Sequence, residues 1–166
     1  MIKHSAGLLV YRINDGQLEV LIGHMGGPFF AKKDKAAWSI PKGEYDETED
    51  PKTAARHEFQ QEIGQPPPDG DWLELGQVEY KNKKRVSIWA IEGEVDANNI
   101  QSNTFELEWP PRSGQTQQFP EIDRAEWLTI DQPRPKLIPA QCVFLDRLSQ
   151  QLGVEPLRAA RQEALF

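Results

Sequence analysis

The sequence predicts an α/β fold in which a mixed β-sheet carries helices on its faces. Strand-like segments lie on both sides of one sharply bounded helical segment. A hairpin signal stands near the N-terminus, and a second helical segment lies near the C-terminus.

Taken in order, residues 5–12 and 18–23 read as two strands. Asn14-Asp15-Gly16 joins them, and these residue types tolerate the positive φ of a tight hairpin turn. A Gly/Pro/Lys-rich loop, 26–35, leads to Trp38-Ser39-Ile40-Pro41-Lys42-Gly43. The helix follows, with Asp50 as its cap, Pro51 in its first turn and Gly64 as its stop before Pro66-Pro67-Pro68. Residues 72–81 and 85–92 read as strands joined by a turn at Asn82-Lys83-Lys84. The stretch 98–120 is rich in Pro, Gly and polar residues and reads as a long irregular loop. Residues 125–128 form a short strand in this reading, and 139–152 a helix that packs through Val143, Leu145 and Leu148. One domain is expected over residues 1–152, with 153–166 as a tail that adds a helical turn or frays.

At 166 residues with 38% hydrophobic and 27% charged side chains, the chain has the composition of a globular domain with a sizeable core. It contains no apolar run of membrane-span length, and its start lacks a signal-peptide pattern. Its single cysteine, Cys142, cannot form an internal disulfide and is expected to be a buried, inert thiol. These features make a cytoplasmic location, as a monomer or homodimer, the expectation. A net charge of −7 argues against a dedicated nucleic-acid binder but leaves room for a phosphate-bearing small molecule.

Chemistry concentrates on the helix. Glu58 and Glu62 are four residues apart and share one face, with Gln61 beside them. Such a pair repels by a few tenths of a kcal/mol in an isolated helix. A hard divalent cation relieves that repulsion and prefers oxygen ligands. On an arbitrary helix the pair would be a solvated surface face, so the flanking residues must decide.

Residues 43–65 resemble the Nudix box, G-x5-E-x7-R-E-U-x-E-E-x-G-U, where U is a bulky aliphatic residue. Gly43, Glu49, Glu58, Glu62 and Gly64 match, and Phe59 is apolar at the first U. His57 stands in place of Arg, Gln61 in place of the first Glu of the pair, and Gln65 in place of the last U. Segments 38–45, 105–114 and 119–127 are similar to a group of small bacterial nucleoside triphosphate pyrophosphohydrolases within that family.

The resemblance implies a Nudix-like α/β/α sandwich and a metal-dependent pyrophosphohydrolase. The cleaved bond would be a phosphoanhydride in a nucleoside diphosphate-linked substrate, a nucleoside triphosphate or a dinucleoside polyphosphate. It also implies that the Gly43 carbonyl, Glu58 and Glu62 hold Mg²⁺, with Mn²⁺ as a substitute. Glu121, six residues before Trp127, resembles the further acid that completes the metal site or activates water; Glu106 and Glu108 are weaker choices. Glu58 and Glu121 both stand as the base. Glu49 would brace the loop through residue 57, but His57 cannot reproduce the two-pronged grip of arginine. Gln61 offers an oxygen without charge, which weakens metal affinity and slows turnover.

Substrate contacts are expected from Lys42, Tyr80, Lys83, Arg85 and Arg112. Lys83 and Arg85 belong to a basic hairpin turn with Lys81 and Lys84, and Tyr80 loosely resembles the base-stacking tyrosine of diadenosine polyphosphate hydrolases. Lys32, Lys33 and Lys35 are weaker phosphate candidates. His4 and His24 lack partners at metal-ligand spacing and receive no role. Two alternatives accompany the hydrolase reading: a catalytically weakened module that binds or senses nucleotides, and a sanitising hydrolase for damaged nucleotides.

Overall fold

The computed structural model describes residues 2–153, so residues 154–166 of the expected tail lie outside the described residues. The chain opens with an antiparallel hairpin of β1 (His4–Asn14) and β2 (Gln17–Met25). Asp15 and Gly16 both take positive φ, 51° and 76°, which gives the turn a twist that matches the strands. Then come β3 (Trp38–Ser39), β4 (Lys42–Tyr45), α1 (Pro51–Ile63), β5 (Leu73–Glu79) and β6 (Arg85–Glu92). The remaining elements are β7 (Thr104–Glu108), β8 (Thr116–Pro120), β9 (Ile122–Thr129) and α2 (Cys142–Leu152).

The main sheet runs β3-β2-β1-β6-β5, with β4 also paired to β1 and β9 also paired to β2. The β1–β6 pair is parallel and the others are antiparallel, so the sheet is mixed as expected. Alternation along β1 creates two layers. Ala6, Leu8 and Val10 pack with Ala54, Ala55, Phe59 and Ile63 of α1. Leu9 and Tyr11 belong to the opposite core, with Phe144, Leu145 and Leu148 of α2. The result is an α/β/α sandwich.

Four local expectations are corrected. The stretch 98–120 is not irregular throughout, because β7 and β8 form an antiparallel hairpin apart from the main sheet. Its apolar contacts are few: Phe105 meets Phe119 across the strands, and Trp109 meets Phe29 on the 26–35 loop. The strand expected at 125–128 extends to Ile122–Thr129 because its whole length pairs with β2. The C-terminal helix begins with a 3₁₀ turn, Pro139–Gln141, and buries Phe144 while Val143 is only partly covered. Cys142 is half-buried rather than fully enclosed, and its Sγ–H donates to the Arg134 carbonyl at 3.3 Å.

Candidate active site

Helix α1 is set by local chemistry at both ends. The Asp50 carboxylate accepts from Thr53 N–H at 3.1 Å and from Thr53 Oγ1–H at 3.0 Å, while Pro51 gives up no intrahelical donor. Gly64 ends the helix in the left-handed region (φ 79°) and donates to the Gln60 carbonyl. The buried side anchors α1 on the sheet, and this turns Glu58 and Glu62 toward β4.

There the two acids enter a cleft of about 340 Å³ lined by Lys42, Gly43, Glu44, Glu58, Glu62, Asn103 and Glu121. Gly43 lies against the carboxylate: a Cβ on it would lie 2.1 Å from Glu58 Oε2. The backbone of β4 therefore comes closer to the carboxylate than a residue with a side chain could without displacing it. Glu62 Oε2 accepts from Lys42 N–H at 3.2 Å.

The cleft is short of positive charge. Burial pushes the Glu62 carboxyl up to about 8, with Glu121 and Glu58 adding repulsion and Lys42 opposing. Burial also raises Glu58, helped by Glu49 and Glu121 and opposed by His57 and Lys42. The Lys42 ammonium is lowered first by desolvation and then by Lys84. Lys84 itself stands 3.4 Å from Glu44. Among the described residues, no three acidic, histidine or cysteine side chains converge on one point.

A three-residue strap fixes Glu121 relative to the helix. Gln101 N–H donates to the Ile63 carbonyl at 2.8 Å, and Asn103 N–H donates to the Gln61 carbonyl at 2.7 Å. On the other side Glu121 N–H donates to the Asn103 carbonyl at 2.9 Å, and Ile122 N–H to Ser102 Oγ at 3.0 Å. Trp127, on the same strand as Ile122, donates its indole N–H to the Val95 carbonyl at 3.0 Å.

Lys42, Gly43, Glu58, Glu62 and Glu121 thus share one cleft, and other expected site residues lie elsewhere. The brace through residue 57 is not formed: Glu49 Oε1 instead accepts from Asp46 N–H at 3.3 Å. Gln61 is exposed and outside the lining, and it contributes its backbone carbonyl to the strap. The Tyr80 ring packs against the α2-side core and its hydroxyl accepts from Gln141 Nε2 at 2.9 Å. Lys83 (φ 66°) and Arg112 (φ 61°) occupy turns outside the lining. Arg85 pairs with Glu79 in the β5–β6 ladder. Glu106 and Glu108 are exposed on β7 and do not line the cleft.

Sequence reasoning missed Asn103 and Glu44. Neither is legible without the fold, since Asn103 reaches the cleft through the strap and Glu44 through the β1–β4 pairing. It also left His24 without a role. That ring is fully buried, with Nδ1 2.8 Å from Asp123 Oδ1 and Nε2 2.7 Å from the Lys33 carbonyl, so it ties β2 to β9 and to the 26–35 loop.

A mixed sheet between helices, with a glycine-backed carboxylate cleft at one helix, defines a fold and site that can be compared with known proteins. The NUDIX domain model matches residues 3–148, and the chain belongs to that family. Membership makes it a Nudix-type pyrophosphohydrolase acting on nucleotide substrates. No curated protein matches the chain. Among solved structures it is similar to the NUDIX domain of Shewanella oneidensis NrtR complexed with ADP ribose (14% identity, TM-score 0.62, 90% of this chain and 87% of that one). It is also similar to a C. elegans Ap4A hydrolase binary complex (22%, 0.61, 91% and 98%). A third is the MutT protein of Methanosarcina mazei Go1 (17%, 0.57, 91% and 95%). At these identities the likeness is one of fold. Among the described residues no helix is long and apolar enough to cross a membrane.

Proposed function

We propose that the chain hydrolyses a phosphoanhydride bond in a nucleoside triphosphate or a dinucleoside polyphosphate, using Mg²⁺ or, as a substitute, Mn²⁺. The observation that carries this reading is the contact between Gly43 and Glu58 in a cleft shared with Glu62 and Glu121. The donor set is all oxygen, and the burial that raises Glu62 to about 8 is the condition that a hard cation relieves. The Gly43 carbonyl with Glu58 and Glu62 would hold the ion, and Glu121 lines the same cleft without converging on one point with them. A divalent cation bound there supplies charge neutralisation and Lewis acidity at a phosphoryl oxygen.

The chain's own groups do the rest. Glu121 or Glu58 takes the proton of the attacking water as its oxygen bonds to phosphorus, and the anhydride P–O bond breaks. Lys42 and Lys84 bring positive charge to the wall that meets the phosphate chain. The Ap4A hydrolase and ADP ribose complexes among the similar folds support a nucleotide ligand with more than one phosphate.

A second reading, a nucleotide-binding module with weakened catalysis, is favoured by the missing Glu49–His57 brace and by Gln61 outside the cleft. A panel of nucleoside triphosphates, dinucleoside polyphosphates and ADP ribose, assayed with Mg²⁺ and with Mn²⁺ for released phosphate or nucleotide, separates the two. Metal-dependent turnover of one class is expected. Tight binding without turnover across the panel would favour the module.

A further inference from the structure

Asn103 combines two features that its place in the chain does not require. Its backbone is fully engaged, with N–H to the Gln61 carbonyl and C=O to Glu121 N–H. Any residue with a backbone N–H would supply both bonds. Its φ is not among the positive values that favour asparagine. It also precedes β7 directly, where asparagine is a poor strand former. The residue is exposed and lines the cleft, and its side chain forms no hydrogen bond with any described residue. The amide is therefore uncommitted at the edge of the cleft, while the backbone bonds hold the strap.

The chemistry of the lining shows what such an amide does. Four of the lining residues are glutamates, and only Lys42 and Asn103 carry a side-chain N–H. A polyphosphate chain brings several anionic oxygens into a wall of carboxylates, and each needs a donor or a cation. An amide donates without adding charge and is strongest when its acceptor is ionised. The strap also fixes its distance to the acids, because residues 101–103 are bonded to α1 on one side and to Glu121 and Ile122 on the other.

We propose that the Asn103 side-chain amide is a substrate-binding group that donates to a phosphoryl oxygen of the polyphosphate chain in the Glu58/Glu62/Glu121 cleft. This rests on the polyphosphate reading given above. Because the group meets the phosphates rather than the base, its contribution is the same for every nucleotide and persists for inorganic tripolyphosphate.

The test measures tripolyphosphate binding calorimetrically with Mg²⁺ present, for the wild type, Asn103→Ala and Asn103→Asp, alongside KM and kcat on the best nucleotide. Loss of a hydrogen bond to a charged group predicts roughly ten- to hundredfold weaker binding in Asn103→Ala. KM should rise by a similar factor, with unchanged melting temperature because the backbone bonds persist. Asn103→Asp, equal in size but a fifth carboxylate, should bind more weakly still, and Asn103→Gln should recover part of the loss. Wild-type affinity in either Asn103→Ala or Asn103→Asp overturns the assignment while leaving the hydrolase reading intact. A wild type that neither binds tripolyphosphate nor turns over a nucleotide overturns both. Unfolding of Asn103→Ala and Asn103→Asp together would also overturn it, since the side chain would then be structural.

Discussion

Gln141 on one face of the sheet and Glu62 on the other are polar side chains in opposite situations. On the α2 side, Gln141 is fully buried and completely paired: its Oε1 accepts from Ile40 N–H, and its Nε2 donates to Ser39 Oγ and Tyr80 Oη. On the α1 side, Glu62 has one backbone partner, neighbours of its own charge, and a carboxyl raised to about 8. A satisfied network of this kind rigidifies a core. A carboxyl so raised either takes a proton or is neutralised by a bound cation, and such groups cluster at functional sites. The contrast sets Tyr80, whose ring and hydroxyl are engaged in packing on the α2 side, apart from the acids proposed as the site on the α1 side.

The comparison can be broken most severely at Glu58. Glu58→Gln keeps the size and removes the charge, and should lower kcat on the best nucleotide by about a hundredfold or more. Gly43→Ala comes next, since its Cβ would lie 2.1 Å from Glu58 Oε2 and displace that carboxylate. A displacement of about 1 Å at a reacting centre costs up to about a hundredfold, and steady-state rates at saturating Mg²⁺ would show it. On the opposite face the effects should fall on stability and not on rate. Gln141→Leu strands the buried Ile40 N–H and should cost roughly 1–3 kcal/mol in denaturant unfolding, with little change in turnover. Tyr80→Phe, which removes one acceptor, should cost about 1 kcal/mol and leave KM unchanged. A raised KM for Tyr80→Phe would return that residue to the substrate.

The parts that were legible in the sequence are the ones specified locally. Asp50, Pro51 and Gly64 bound α1 by chemistry within a turn of its ends, and Asp15-Gly16 fix the first hairpin. The Glu58/Glu62 pair was legible for the same reason, because helical periodicity alone places both on one face. The β7–β8 hairpin was not: Thr104, Glu106 and Glu108 are exposed on a ribbon that has no large core to impose alternation, and Pro110-Pro111 read as a loop. His24 was equally opaque, since its partners stand 9 and 99 residues away. Asn103 enters the site only through bonds to Gln61 and Glu121, which no spacing rule anticipates. Histidine at position 57 was expected to lack the two-pronged grip of arginine on Glu49, and that carboxylate accepts instead from the Asp46 N–H of its own loop.

The α1-side cleft is proposed to be completed by a cation, whereas the Gln141 network on the α2 side is complete in itself. With its folded value near 8 against an ordinary 4.5, Glu62 binds more protons folded than unfolded between those values. The stability of chelator-treated protein should therefore fall as pH rises from about 5 to 8. The most direct measurement is the melting temperature at pH 8, with chelator and then with Mg²⁺ or Mn²⁺, for the wild type and Glu62→Gln. The cation should raise the wild-type value, and Glu62→Gln, which lacks the desolvated charge, should respond much less. An absent shift in the wild type, or an equal shift in both proteins, would contradict completion of the cleft by a cation.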